Sequence, residues 1–269
     1  MKQKLHTLLM CIMLLYWTNA AAAERALILK SGNIPIINET AEAFRSAWGR
    51  DTDIVTVKSS SDTINTGDYS AAVAIGSKAS VVLKSNHKKG FPALYSLVLS
   101  PAEIELFSTG FTGISPSPDF NNMLSDLGQR LGNIKSVGVI YSRNSEYLLE
   151  SLKEAAVKLN ISVVAKKISG KYDITDALKE FKDIDLFYLM PDPLLSNETS
   201  MVQIFTFFSQ TLTPTVATHR ITLMFGASYA YVADYTEVGK GLAIEATRML
   251  KDADYRPKMI YLGGRLYTK

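Results

Sequence analysis

Few side chains in this sequence are suited to covalent or metal chemistry. The chain has three histidines and one cysteine, and that cysteine, Cys11, lies in an N-terminal leader. The rest of the chain keeps only His87, in a lysine-rich loop predicted to be solvated, and His219, too few donors for most transition-metal sites. No nucleophile elbow, phosphate-binding loop or dinucleotide fingerprint occurs. We therefore predict no metal, no cofactor and no catalytic residue.

Small polar residues recur instead where predicted strands end. In open parallel sheets, ligands bind beyond the carboxyl ends of the strands. The candidates selected by this rule are Ser31, Asn33, Gly76, Ser77, Ser96, Tyr141, Asn144, Ser145, Asp192 and His219. Recurrence in both halves of the chain is stronger evidence for a binding site than any single member.

Several candidates also have an ordinary structural explanation. Ser77 and Ser145 could be helix caps, and Asn33 and Asp192 could be turn residues. His219 could face a cleft or pack against Phe225. Tyr141 could be a core aromatic. The sequence leaves these alternatives open.

Short apolar runs alternate with helical patterns, which predicts an α/β protein with parallel sheets. The predicted strands are Ala26–Leu29, Asp53–Val57, Ala71–Ile75, Ala93–Val98, Ser136–Tyr141, Ser162–Lys167, Leu186–Met190, Pro214–Ala217 and Ser228–Val232. The predicted helices are Ile36–Trp48, Ser77–Leu83, Asp119–Leu131, Ser145–Leu159, Asp173–Phe181, Glu198–Gln210 and Thr236–Leu250. Residues 259–267 are expected to add one more strand and a short tail.

The two series of elements predict two similar Rossmann-like lobes. The first is expected to comprise residues 24–112 with about 233–260, and the second residues 113–232 with the C-terminal tail. Pro116 and Pro118 interrupt the pattern where the chain crosses between lobes. Two or three linking strands would form a hinge that allows a cleft to close.

Residues 1–23 have the pattern of a secretory leader. Lys2 and Lys4 form a positive end, Leu8–Tyr16 an apolar stretch, and residues 20–23 a run of alanines suited to cleavage. The bulky Met10 before Cys11 disfavours a lipid anchor. Loss of the leader removes two of the three net positive charges, so nothing in the charge balance favours nucleic acid.

Several segments, in order, resemble a known family. They are Ile28-Leu-Lys-Ser-Gly-Asn-Ile-Pro35, Ala72-Val-Ala-Ile-Gly-Ser-Lys-Ala79, Phe111-Thr-Gly-Ile-Ser115, Ile134-Lys-Ser-Val-Gly-Val-Ile-Tyr-Ser142, Asp234-Tyr-Thr-Glu-Val-Gly239 and Tyr261-Leu-Gly-Gly264. Together they resemble the ABC-transporter substrate-binding proteins with the periplasmic binding protein type I fold, in the branch that includes tryptophan and tyrosine receptors. The resemblance covers nearly the whole chain after the leader.

The resemblance implies a role for four residues. Asn144 and Ser145 match a segment that contacts ligand, Asp192 matches an acid in the next loop, and Asp234 matches one beside the hinge. Either acid could pair with a ligand's ammonium group. Residues 191–195 and 219–225 depart from the usual family pattern.

The leading hypothesis is a periplasmic solute-binding protein, monomeric and not an enzyme. It would capture an amino acid or related small molecule for an ABC permease in the inner membrane. The alternative is an exported sensory receptor that presents its ligand state to a membrane partner. Leu223, Met224 and Phe225 could form an exposed contact patch for that partner, or they could be buried beneath the hinge. An exported hydrolase is a third hypothesis.

Overall fold

The computed structural model describes residues 24–269, which form two six-stranded sheets and their helices. The predicted leader lies outside the described residues. The strands are β1 (Ala26–Lys30), β2 (Thr52–Thr56), β3 (Ala71–Ile75), β4 (Ala93–Ser96), β5 (Thr112–Pro118), β6 (Ser136–Tyr141), β7 (Ser162–Lys167), β8 (Leu186–Leu189), β9 (Thr215–Ala217), β10 (Tyr229–Ala233), β11 (Met259–Leu262) and β12 (Gly264–Thr268). The α-helices are α1 (Pro35–Trp48), α2 (Ser77–Asn86), α3 (Phe120–Leu131), α4 (Glu146–Lys158), α5 (Ile174–Lys179), α6 (Glu198–Gln210) and α7 (Tyr235–Lys251).

The first sheet has the strand order β11-β5-β4-β3-β1-β2, and the second has the order β12-β10-β9-β8-β6-β7. All pairs are parallel except β10 with β12, which is antiparallel. Every residue of β3 is buried, as are Ala26–Leu29 of β1. Continuous apolar runs of this kind are typical of parallel strands covered on both faces. The predicted α/β architecture of two similar lobes is confirmed.

Local sequence explains where several helices begin and end. Pro35 occupies the first turn of α1, and Gly49 ends that helix with a φ of 65°. Asp119 caps α3 by accepting the Asn122 N–H, and Asn197 caps α6 by accepting the Ser200 N–H. These side chains satisfy backbone donors that have no partner inside the helix.

The segment between the lobes differs from the sequence expectation. Residues 112–118 form strand β5 between β4 and β11, although Pro116 and Pro118 were expected to interrupt regular structure there. The C-terminal residues form two strands instead of one. β11 pairs with β5 in the first sheet, and β12 pairs with β10 in the second, so this short segment also links the two sheets.

After β10 the chain returns to the first sheet. Helix α7 packs along α1, and Gly239 permits the close approach, because a Cβ there would lie 2.4 Å from the Thr40 carbonyl oxygen. Trp48 at the end of α1 is buried in the same core and stacks on Phe44 at 5.8 Å. None of the helices within residues 24–269 is long and apolar enough to cross a membrane.

Candidate functional site

The register of each sheet aligns the ends of its central strands. In the first sheet Lys30 pairs with Ile75 and Ile75 with Ser96. Ser31 and Gly76 therefore follow β1 and β3 side by side, and Ser96, the last residue of β4, lies beside Ile75, one residue before Gly76. In the second sheet Ile140, Leu189 and Ala217 are aligned in the same way. The structure thus groups the candidate residues into two rows, one on each sheet.

Asp192 is the centre of a hydrogen-bonded cluster in the second row. Its Oδ2 accepts the Ser142 N–H at 3.1 Å and the hydroxyls of Ser142 and Ser145, each at 2.6 Å. Its Oδ1 accepts the Leu194 N–H at 2.8 Å. Asp192 and Ser145 are fully buried. The carboxylate therefore joins the loops after β6 and β8, and both of its oxygens are used within the protein.

Asp234 is also engaged within the protein. Its Oδ1 accepts the N–H groups of Thr236 and Glu237, which caps α7. Its Oδ2 lies 2.8 Å from Arg265 Nη2. A ligand ammonium at this carboxylate would have to compete with an existing guanidinium.

Ser31 has the capping role that the sequence suggested for Ser77. Its Oγ accepts the Ala79 N–H of α2 at 2.9 Å, whereas Ser77 is exposed and its side chain makes no cap. Gly76 has a φ of 93°, and a Cβ there would lie 2.6 Å from Ser31 Oγ. The Gly76 N–H donates to the Ser96 carbonyl at 2.8 Å, so it is not available to an anion.

The remaining candidate side chains interact with nearby groups of the protein. Ser96 is buried and donates to the Ile114 carbonyl, which joins β4 to β5. Asn33 Oδ1 accepts from Lys30 Nζ at 2.9 Å. Tyr141 is half-buried against the core, with Lys167 Nζ 5.8 Å from its ring centroid. The Asn144 N–H donates to Ser142 Oγ.

An apolar cavity of about 230 Å³ lies at the carboxyl ends of β8 and β9. Its lining comprises Leu99, Leu189, Met190, Pro191, Ser196, Met201, Ala217, Thr218, His219, Ile221 and Thr222. Leu99 follows β4 of the first sheet, so both lobes contribute to the wall. We call this space the apolar cavity.

His219 is the only titratable side chain in the lining of the apolar cavity. Burial lowers the pKa of its imidazole below the ordinary value. Nδ1 lies 3.0 Å from Thr218 Oγ1, and each atom can act as donor or acceptor according to the tautomer. A neutral imidazole and hydroxyls give this cavity hydrogen-bonding capacity without a fixed charge.

Most of the cavity lining was not among the sequence candidates. Leu99 and Met201 are apolar, and no sequence signal separates them from core residues. Thr222 and Ile221 lie in the segment 219–225, which departs from the family pattern. That departure was the one sequence feature that could have identified them as lining residues. The short 3₁₀ helix Arg220–Leu223 brings this segment to the cavity.

Aromatic side chains connect the lobes on the α4 side. Phe107, from the 3₁₀ helix Leu106–Ser108, meets Tyr147 of α4 edge to face at 5.4 Å. Ser151 Oγ of α4 donates to Tyr261 Oη of β11 at 3.3 Å. Burial raises the pKa of Tyr147, and the neighbouring hydroxyls of Tyr261 and Tyr95 raise it further. These contacts join α4 of the second lobe to the first.

The two linked α/β sheets have the periplasmic binding protein type I fold. The chain matches the family model described as "ABC transporter substrate binding protein" over residues 27–258, and it belongs to that family. No curated protein sequence matched the chain.

Several solved structures share the fold. A ligand-free, open substrate-binding protein with adhesive properties from Clostridium difficile is 19% identical with a TM-score of 0.63, covering 88% of this chain and 89% of its own. An ABC domain in complex with L-Trp from Streptococcus pneumonia is 17% identical with a TM-score of 0.57, covering 91% and 92%. A conserved domain protein from Vibrio cholerae is 18% identical with a TM-score of 0.55, with the same coverage.

Proposed function

We propose that this chain is an exported solute-binding protein of the periplasm that captures an amino acid or related small molecule for an ABC permease. The observation that carries the proposal is the apolar cavity, which lies at strand carboxyl ends and receives Leu99 from the opposite lobe. Its volume is below the roughly 300–1,000 Å³ of drug-sized sites, which favours a smaller ligand.

Family membership and the N-terminal leader support the same role. Substrate-binding proteins of ABC transporters present their ligand to a membrane permease, and the leader would export the chain. We propose that it acts as a monomer, without nucleic acid and without catalysing a reaction. The L-Trp complex of a protein with the same fold makes amino acids the first ligands to test.

Thermal-shift screening tests this proposal. The purified protein is screened against amino acids, nucleosides, sugars and small organic acids. A ligand at 100 times its dissociation constant should raise the unfolding free energy by about 2.7 kcal/mol. A response to no member of the panel would contradict the binding role. Turnover of any panel member would contradict the non-enzymatic role.

A sensory receptor is the second candidate, because part of the segment 219–225 is exposed. Met224 is 81% exposed and Ile221 54%. Leu223 and Phe225, however, pack against the core beside β8, so the three residues do not form an exposed apolar patch together. Ligand-dependent capture of a membrane kinase or cyclase from membrane vesicles would favour sensing, and recovery of permease components alone would count against it.

A further inference from the structure

A second cavity, of about 270 Å³, lies between α1 of the first lobe and the end of β10 in the second. Its charged lining residues are Glu39, Arg220, Asp234 and Arg265, accompanied by the aromatic rings of Tyr235 and Tyr267. We call this space the charged cavity. It contains two acids and two bases, so its lining is neutral overall.

Only two of these four charges neutralise each other directly. Asp234 and Arg265 form an ion pair at 2.8 Å. Within residues 24–269, neither Glu39 nor Arg220 forms an ion pair with another side chain. One unpaired negative charge and one unpaired positive charge therefore remain at the same cavity.

Neighbouring side chains orient both unpaired groups. Glu39 Oε1 accepts the Thr236 hydroxyl at 2.9 Å, and the Glu39 charge contributes to the raised pKa of Tyr235, after burial. The Arg220 guanidinium lies 4.6 Å from the ring centroid of Tyr267. Stacking on an aromatic face leaves the planar edge of a guanidinium available to a carboxylate.

The charged cavity lies next to the apolar cavity. The two occupy the ends of β10 and of β8 and β9, which are neighbours in the second sheet. The segment 219–222 contributes to both, because Arg220 lines the charged cavity and His219, Ile221 and Thr222 line the apolar one. Consecutive residues of this one segment therefore contribute to both cavities.

We propose that Glu39 binds the ammonium and Arg220 the carboxylate of an α-amino acid whose apolar side chain enters the apolar cavity. Glu39 supplies an acceptor for ammonium protons, and Arg220 supplies two parallel donors for a carboxylate. This inference rests on the proposed function and deepens it. It assigns the ammonium contact to Glu39, because both carboxylate oxygens of Asp192 and of Asp234 already accept hydrogen bonds inside the protein, whereas only Oε1 of Glu39 does.

Isothermal titration calorimetry with matched probes tests the assignment. The probes are L-leucine, L-phenylalanine and L-tryptophan, each with its amide, which lacks the carboxylate, and its des-amino acid, which lacks the ammonium. The variants are Glu39→Gln and Arg220→Gln. Glu42→Gln and Arg45→Gln are the controls, because they remove an exposed ion pair on α1 outside the charged cavity.

The expected result is a crossed pattern. Glu39→Gln should weaken the amino acid about 10- to 100-fold and leave the des-amino acid unchanged. Arg220→Gln should weaken the amino acid by a similar factor and leave the amide unchanged. Both control variants should bind all probes like the wild type.

Four results would overturn the assignment. Wild-type affinity in both variants would remove the two residues from the site. Equal weakening of all probes would indicate an ion pair between the lobes instead of ligand contacts. Binding of a sugar or nucleoside but no amino acid would overturn this inference while leaving the solute-binding role intact, whereas failure of the whole solute panel would overturn both.

Discussion

At the residue scale, the Asp192 carboxylate connects two loops through four hydrogen bonds. We expect Asp192→Ala to lower the unfolding free energy by about 2–4 kcal/mol, because buried hydroxyl and N–H donors would lose a charged acceptor. Urea denaturation measures this loss. Asp176→Ala, which removes an exposed pair with Lys179, is the control and should change stability by less than about 0.5 kcal/mol. An Asp192→Ala variant with unchanged stability and abolished binding would instead show that Asp192 contacts the ligand.

His219 should make stability depend on pH. Burial holds its pKa below the ordinary value of 6.5, so the unfolded chain binds more protons as the pH falls below about 6.5. Stability should therefore decrease from that pH downward, and the decrease should stop below the folded-state pKa. Melting temperatures of the wild type and His219→Gln between pH 4 and 8 measure the effect, which the variant should lose.

His87→Gln is the matched control for this titration. His87 is half-buried, edge-on to Phe111 at 4.7 Å, and its Nε2 lies 3.1 Å from the Phe91 carbonyl, so the loop histidine is not simply solvated. The control should keep the pH dependence that His219 causes. If the pH dependence of stability were lost in His87→Gln and kept in His219→Gln, the assignment to His219 would be wrong.

At the element scale, helix α2 receives its cap from another element. Ser31 follows β1 in sequence but accepts the Ala79 N–H in the first turn of α2. Ser31→Ala should lower the unfolding free energy by about 1 kcal/mol, as expected for loss of a helix cap. Ser77→Ala should change it by less than about 0.5 kcal/mol, because the Ser77 side chain is exposed and makes no cap. Chemical denaturation of both variants compares them, and the opposite ranking would show that Ser77 caps α2 in solution.

At the scale of the whole molecule, the contact between Phe107 and Tyr147 joins the lobes in the arrangement described here. An aromatic pair contributes about 0.5–1.5 kcal/mol, so Phe107→Ala should shift the population of lobe arrangements away from this one. Small-angle scattering should show a larger radius of gyration without ligand and a decrease at saturating ligand. Tyr172→Ala, which removes an 84% exposed ring, should leave the radius unchanged. Equal radii for Phe107→Ala and the wild type would show that the pair does not hold the lobes.

Most of the secondary structure follows from the sequence. The strands Ala71–Ile75, Ser136–Tyr141 and Ser162–Lys167 match the predicted ranges residue for residue, and the helix Glu198–Gln210 does too. Apolar runs and helical spacing are local signals, and turn residues mark their ends. Strand β5 was not predicted, because Pro116 and Pro118 lack the N–H group that a strand ladder uses. Its pairing with β4 involves residues 112–114, which precede both prolines.

The tertiary structure decided which groups each polar side chain contacts. By itself the sequence determined that small polar residues follow the strands, but not whether each one faces a ligand or the protein. Asp192 contacts serines that lie 47 and 50 residues away, and Ser31 caps a helix 48 residues away. Glu39 and Arg220 come to one cavity from different lobes. Contacts of this kind depend on how the sheets and helices pack, and no local pattern in the chain encodes them.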